Sequence, residues 1–305
     1  MANKLALSDF PGTDLGRRFS SAYDWLLARW PDGATSRQVT DRFGVTHVTV
    51  AGPDAGPPVL LLHGGGATSM AWTALIERIG GTGHRFIAPD LIGDPGRSRN
   101  TGDRLRTVDD LCAWVNTVLI ETSCERVDVV AHSYGAMLAL AYAVRFPERV
   151  GRLILLDPNS CFAGISPRYL MHALPILLRP NERRERRFLG WETDGAALDA
   201  DWVELVASGA EGFPSSRTIV PRRPGRTDLA GLDGHRVTVV LAPGSRVHRP
   251  PRIADRVADL MPAASVVMLS AGTHHTLPMS PSDELAGVVR SALDEGLRDQ
   301  RQALH

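Results

Sequence analysis

Three places along the 305-residue chain carry side chains whose type and setting could do chemistry. The first is Val129-Val130-Ala131-His132-Ser133-Tyr134-Gly135-Ala136-Met137-Leu138, where an apolar run enters a tight turn and a helix of small residues leaves it. A serine at such a turn is pushed above the strand end, its hydroxyl at a helix N-terminus, which is where a nucleophile is wanted. Ala131 and Gly135 are small where strand and helix backbones must pass close together. A serine that merely caps the helix is the alternative. The second place is Leu60-Leu61-Leu62-His63-Gly64-Gly65-Gly66, a run ending in glycines whose backbone N–H groups can face a developing oxyanion unobstructed. No Gly-Lys-Ser/Thr follows, so a phosphate-cradling loop is excluded. The third is Ser270-Ala271-Gly272-Thr273-His274-His275-Thr276. A hydroxyl attacks only when a general base takes its proton, and imidazole is the usual group for that near neutral pH.

The elements that must position these residues are short β-branched or aliphatic runs. They are predicted at 45–51, 58–62, 86–89, 127–131, 153–156, 237–241 and 265–269, with helices between them at 108–122 and 135–145. Strand–helix alternation with near-continuous apolar strands implies a parallel sheet covered on both faces, an α/β class. Residues 17–30 carry a helix-like apolar pattern that Pro31 ends, so 1–44 is expected to form an N-terminal helical arm. The alternation stops at about 159 and resumes at about 231. The chain is therefore divided into an arm at 1–44, a core at 45–158 and 232–305, and a mainly helical insertion at 159–231. Within the insertion, the Arg/Glu run at 179–187 reads as a solvated helix face. Tyr169, Phe188, Trp191 and Trp202 are candidates either for apolar contacts with substrate or for packing within the insertion.

The Ala131-to-Gly135 turn resembles the nucleophile elbow of the α/β-hydrolase superfamily, with Ala131 in place of its first glycine. The glycine loop at 63–66 is similar to the family's oxyanion loop, and Pro89-Asp90-Leu91-Ile92-Gly93-Asp94-Pro95-Gly96-Arg97-Ser98 to a scaffold loop beside the pocket. The resemblance spans about 44–158 and 235–290. It implies an α/β-hydrolase fold with 159–231 as its cap, and Ser133 as nucleophile. The N–H groups of Gly65 and Tyr134 would form the oxyanion hole, with His63 as a structural hydrogen-bonder. The base would be His274, seven residues before Pro281, with His275 as runner-up. The family's acid normally follows the penultimate strand, but 242–252 holds no carboxylate and Ser245 stands at that place. In some serine lipases of the superfamily the acid ends the strand after the nucleophile helix. Here that residue is Asp157, and a Ser/His dyad is the alternative.

The resemblance thus implies a serine hydrolase, carboxylesterase-like, cleaving an ester or related acyl bond of a small molecule without cofactor or metal. Two other readings stay open: a non-hydrolytic enzyme on the same scaffold, such as a lyase, acyltransferase or cyclase, and a catalytically weakened ligand binder. The 34 basic residues (only Lys4 is a lysine) balance 34 acidic ones, which gives no footprint for nucleic acid or an anionic membrane, although a local patch could exist. Cys112, Cys124 and Cys161 show no paired spacing for disulfides or a metal site. Met1–Phe10 lacks a signal-like apolar core, and no run approaches the ~20 apolar residues of a membrane span. A cytoplasmic protein is expected. Its oligomeric state is not legible.

Overall fold

The structure is a computed structural model that describes residues 10–213 and 218–303. The expectation for the first ten residues thus lies outside the described residues, except at Phe10. In chain order the elements are α1 (Asp14–Ala28), β1 (Thr35–Asp41), β2 (Gly44–Ala51), β3 (Pro58–Leu62), α2 (Thr73–Ile79) and β4 (Arg85–Pro89). Then come α3 (Val108–Glu121), β5 (Val127–His132), α4 (Tyr134–Arg145) and β6 (Val150–Leu156). A helical stretch follows, α5 (Pro167–Leu178), α6 (Glu182–Glu192), α7 (Ala200–Gly212) and α8 (Arg226–Leu229). The chain closes with β7 (Arg236–Leu241), α9 (Pro250–Leu260), β8 (Ser265–Met268), α10 (Thr276–Met279) and α11 (Asp283–Ala303).

The strands form one sheet in the order β1-β2-β4-β3-β5-β6-β7-β8, parallel from β4 to β8, with β2 antiparallel to both neighbours. Alternate strand residues face opposite sides. Leu60, Val129, Leu153 and Val239 join one apolar cluster with α3, α4 and α9, while Leu61, Val130, Ile154 and Val240 join another with α1, α2 and α11. The order of crossovers reverses at β3, which has β4 on one side and β5 on the other. A crevice opens above the strand ends at such a reversal, and here it falls between the loops after β3 and β5.

Local chemistry fixes where the helices begin. Thr107 and Asp110 form a reciprocal capping box for α3, each side chain accepting the other's backbone N–H at 3.0 Å. Asn181 and Asp199 cap α6 and α7. The described part of 159–231 is helical between its loops and contains no strand.

Two expectations differ from what is observed. The stretch read as a helical arm also holds a strand, β1, which pairs with β2 along its full length. Only Val39 of β1 is buried, so this polar edge strand has no apolar alternation to reveal it. The Arg/Glu run is not wholly solvated either. Glu185 is buried within it, and its carboxyl pKa is pushed up to about 7 by loss of solvent.

Candidate active site

The turn after β5 is built as its residue sizes predict. Ser133 sits at φ +54° and ψ −115°, a strained conformation that lifts its side chain out of the strand line. Gly135 is obligatory there: a Cβ on it would stand 2.1 Å from the Leu62 carbonyl oxygen. Strand β3 and helix α4 therefore pass within backbone contact, and Ser133 projects beside the glycine loop.

His274 comes to this serine from the loop after β8. Ser133 Oγ–H donates to His274 Nε2 at 2.8 Å, and His274 Nδ1–H donates to Asp157 Oδ2 at 2.6 Å. All three side chains are buried. Asp157 sits just beyond β6 at φ +42°, and its own N–H donates to Val240 O at 2.7 Å. Its carboxylate is held by the loop after β7. Ser245 Oγ–H donates to Oδ2 at 2.6 Å and Ala242 N–H to Oδ1 at 3.3 Å, while His248 Nε2 lies 3.4 Å from Oδ1 without hydrogen-bonding it. Burial alone would raise the Asp157 pKa. The hydrogen bond and charge of His274, with His248 and Ser245, outweigh it and hold the carboxyl down at about 2.

His275, the runner-up, points elsewhere. Its Nε2 is 3.3 Å from Tyr169 Oη, and burial lowers its pKa to about 4, so it is neutral at physiological pH. His132 packs 4.7 Å from the His274 ring, and its Nε2–H donates to the His274 carbonyl at 2.9 Å. Burial holds its pKa well below the ordinary value. His63 is a structural partner: Nε2 accepts the Leu91 N–H at 3.0 Å, which leaves Nδ1–H to donate to Gly64 O at 2.8 Å. Asp90 likewise organises its loop, accepting from Ser69 N–H, Arg97 N–H and the Tyr23 hydroxyl.

Gly65 lies over Tyr134, with its Cβ position 3.5 Å from Tyr134 Cβ. Among the described residues neither the Gly65 nor the Tyr134 backbone N–H has a hydrogen-bond partner. The next amide, Gly66 N–H, is already taken by Asp94 Oδ2 at 3.1 Å. Two free donors thus flank the serine at the start of α4. No group of His, Cys, Asp and Glu among the described residues could hold a metal ion.

Sequence reasoning missed one participant. Glu192, at the end of α6, is wholly buried and accepts three hydrogen bonds from the histidine loop. They come from Thr273 Oγ1 at 2.9 Å, His274 N–H at 3.1 Å and His275 N–H at 3.0 Å. The spacing Glu185, Phe188, Leu189, Glu192 (i, i+3, i+4, i+7) was the available signal, since it puts both carboxylates on the apolar face of α6. From the loop after β7, Arg246 binds the Trp191 carbonyl and Asp194, with its guanidinium 5.0 Å over the Trp191 ring. Of the aromatic candidates, Tyr169 faces the histidine pair, Phe188 and Trp191 pack around it, and Trp202 is core.

A family model described as "Alpha/beta hydrolase family" matches residues 59–288, which contain every residue of this arrangement. The chain belongs to the alpha/beta hydrolase family. Among its relatives is Carboxylesterase YbfK of Bacillus subtilis (strain 168), 28% identical over 217 residues that cover 71% of this chain and 72% of that protein. An uncharacterized carboxylesterase, nap, of the same organism is 28% identical over 253 residues, covering 78% and 82%. The crystal structure of carboxylesterase CesB (YbfK) from Bacillus subtilis superposes with a TM-score of 0.81 at 24% identity, over 92% of this chain and 99% of that one. Naproxen esterase from Bacillus subtilis superposes with the same TM-score and identity over 91% and 98%. This alpha/beta hydrolase therefore shares its whole architecture with those structures. Ser245, at the place where the family resemblance leads one to expect the acid, is a donor to a carboxylate supplied by the neighbouring strand.

Proposed function

We propose that this protein is a serine hydrolase that cleaves a carboxylic ester of a small molecule through an acyl-enzyme. The observation that carries this is the unbroken file from Ser133 Oγ through His274 to Asp157, at 2.8 and 2.6 Å. As Oγ attacks the carbonyl carbon, His274 Nε2 takes the hydroxyl proton. Asp157, held ionised, fixes the Nδ1–H tautomer and stabilises the imidazolium that forms. The substrate oxygen becomes an oxyanion and accepts from the Gly65 and Tyr134 N–H groups, a donor of this kind being worth roughly 3 kcal/mol in the transition state. Collapse of the tetrahedral intermediate breaks the ester C–O bond, and Nε2–H protonates the departing alkoxide. Water then attacks the acyl-Ser133 carbonyl, giving its proton to His274; collapse breaks the acyl C–Oγ bond, Nε2–H returns the proton to Ser133 Oγ, and the carboxylic acid leaves. Glu192 holds the histidine loop from α6, so the α5–α7 segment acts as a cap that both walls the pocket and steadies the base. No step requires a metal or organic cofactor.

The three cysteines are free and buried, which supports a cytoplasmic location, where thiols stay reduced. Among the described residues no helix is long and apolar enough to cross a membrane.

Covalent labelling of Ser133 by a fluorophosphonate tests the proposal. Labelling is expected in the wild type and lost in His274→Ala with the fold intact. No labelling of a folded wild type would leave a ligand binder. Labelling without burst release of nitrophenol from a short-chain nitrophenyl ester would favour a non-hydrolytic enzyme.

A further inference from the structure

Nine large apolar side chains stand exposed among the described residues, and five of them lie on one helix. These are Leu170, Met171, Leu174, Leu177 and Leu178 of α5, with Leu177 and Leu178 at 64% and 70% exposure. At about 100° per residue they fall in a single stripe roughly 120° wide. The opposite side of α5 is occupied. Tyr169 reaches His275, His172 stacks on Trp191 with ring centroids 3.8 Å apart, and Ala173 is buried. A helix packed on its inner side and apolar on its outer side is expected to be covered on both, yet the outer side of this one faces water.

The charge around the stripe says what it fits. Helix α5 has no acidic residue and is bracketed by exposed Arg168 and Arg179, and the exposed side of α6 adds Arg183 and Arg187. None of these four has an acidic partner among the described residues. The acids of α6 do not offset them: Glu182 is paired with Arg18, while Glu185 and Glu192 are buried. The face is therefore an apolar stripe framed by positive charge.

We propose that α5 is an interfacial helix that rests on a lipid surface carrying anionic headgroups. Its leucines enter the headgroup–acyl boundary, and its arginines lie at the level of the phosphates. A second copy of the chain fits less well. Parallel or antiparallel, two α5 helices would bring arginine against arginine at both ends, with no carboxylate on either to relieve it. The neutral overall charge, which argued against a membrane partner, sums the whole surface and hides this patch. Because the inner side of the same helix walls the candidate site, an ester dissolved in the lipid would meet the pocket from the docked face; that consequence rests on the esterase reading, whereas docking does not.

The test uses the full chain as Ser133→Ala, so that binding is read without turnover. Co-sedimentation is measured with vesicles of phosphatidylcholine alone and of phosphatidylcholine mixed with phosphatidylglycerol. Binding is expected to the mixed vesicles and to weaken with salt. It should be lost in Leu174→Ser/Leu177→Ser/Leu178→Ser and reduced on the order of tenfold in Arg168→Gln/Arg179→Gln. All five positions are exposed, so the thermal midpoint should hold, and with Ser133 restored the hydrolysis of a water-soluble ester should too. Absence of binding to the mixed vesicles would overturn the proposal, as would binding that the triple substitution leaves unchanged. A concentration-dependent dimer abolished by that substitution, without vesicle binding, would assign the face to a second copy instead. If nitrophenyl esters are not cleaved but vesicles are bound, the esterase reading fails and the docking surface stands.

Discussion

At the scale of single residues, the decisive feature of the proposed site is where its carboxylate comes from. Asp157 is drawn from the end of β6 and clamped by a loop that carries no carboxylate of its own, so its two oxygens are shared among His274, Ser245, Ala242 and the nearby His248. Replacing it by asparagine keeps the shape but presents an amide where His274 Nδ1–H must donate, which favours the wrong tautomer. Asp157→Asn should therefore lower kcat by about 10³–10⁴-fold, by analogy with the effect of the same exchange in a serine triad, while leaving expression and secondary structure unchanged. Steady-state kinetics beside circular dichroism checks this. Near wild-type turnover would return the site to a Ser/His dyad.

At the scale of elements, the His274 loop hangs from a helix that has no part in the sheet. Three donors of the His274 loop end on one buried carboxylate, so Glu192→Gln puts an NH₂ group where acceptors are needed. We expect kcat to fall about 10- to 100-fold with KM within a factor of two, and Glu192→Asp to recover part of the loss. A variant that merely unfolds would instead lose active protein with kcat per active site unchanged, which titration of Ser133 with a fluorophosphonate distinguishes. This contact also marks the limit of legibility. Strands β2 to β7 stood out as apolar runs because both faces of the sheet are covered there, β8 stood out by its Val-Val-Met run although none of its residues is buried, and the elbow stood out because only small residues fit between β3 and α4. Ser133, His274 and the glycine loop followed from turn chemistry together with the family resemblance. Strand β1 escaped because a solvated edge has no buried face to pattern. Glu192 escaped because a glutamate in an arginine-rich helix looks like surface until the partner it faces is known, and that partner lies 81 to 83 residues further along the chain.

At the scale of the whole molecule, burial has collected histidines. His47, His84, His132, His248 and His275 all have pKa values lowered by loss of solvent, His275 to about 4. Each binds its proton less readily folded than unfolded, so the stability it contributes is complete above about pH 6.5 and is lost as the pH falls toward the folded value. Urea denaturation should show stability dropping between pH 6.5 and pH 4. His275→Asn should flatten that drop by on the order of 2 kcal/mol, a figure reduced for the partial exposure of its ring. A wild type equally stable at both ends would contradict it. The position of Asp157 has a different outcome at this scale. Ser133, Asp157, Gly65 and Tyr134 precede β7 in the chain, and so does Glu192; His274 follows it, as do Ala242 and Ser245, which bind the Asp157 carboxylate. Severing the backbone between α7 and β7 would leave Ser133 and Asp157 on one fragment, with His274 and the Ser245 loop that holds Asp157 on the other. Turnover would then report their reassembly, which makes this scaffold a natural split-protein sensor with its breakpoint already marked.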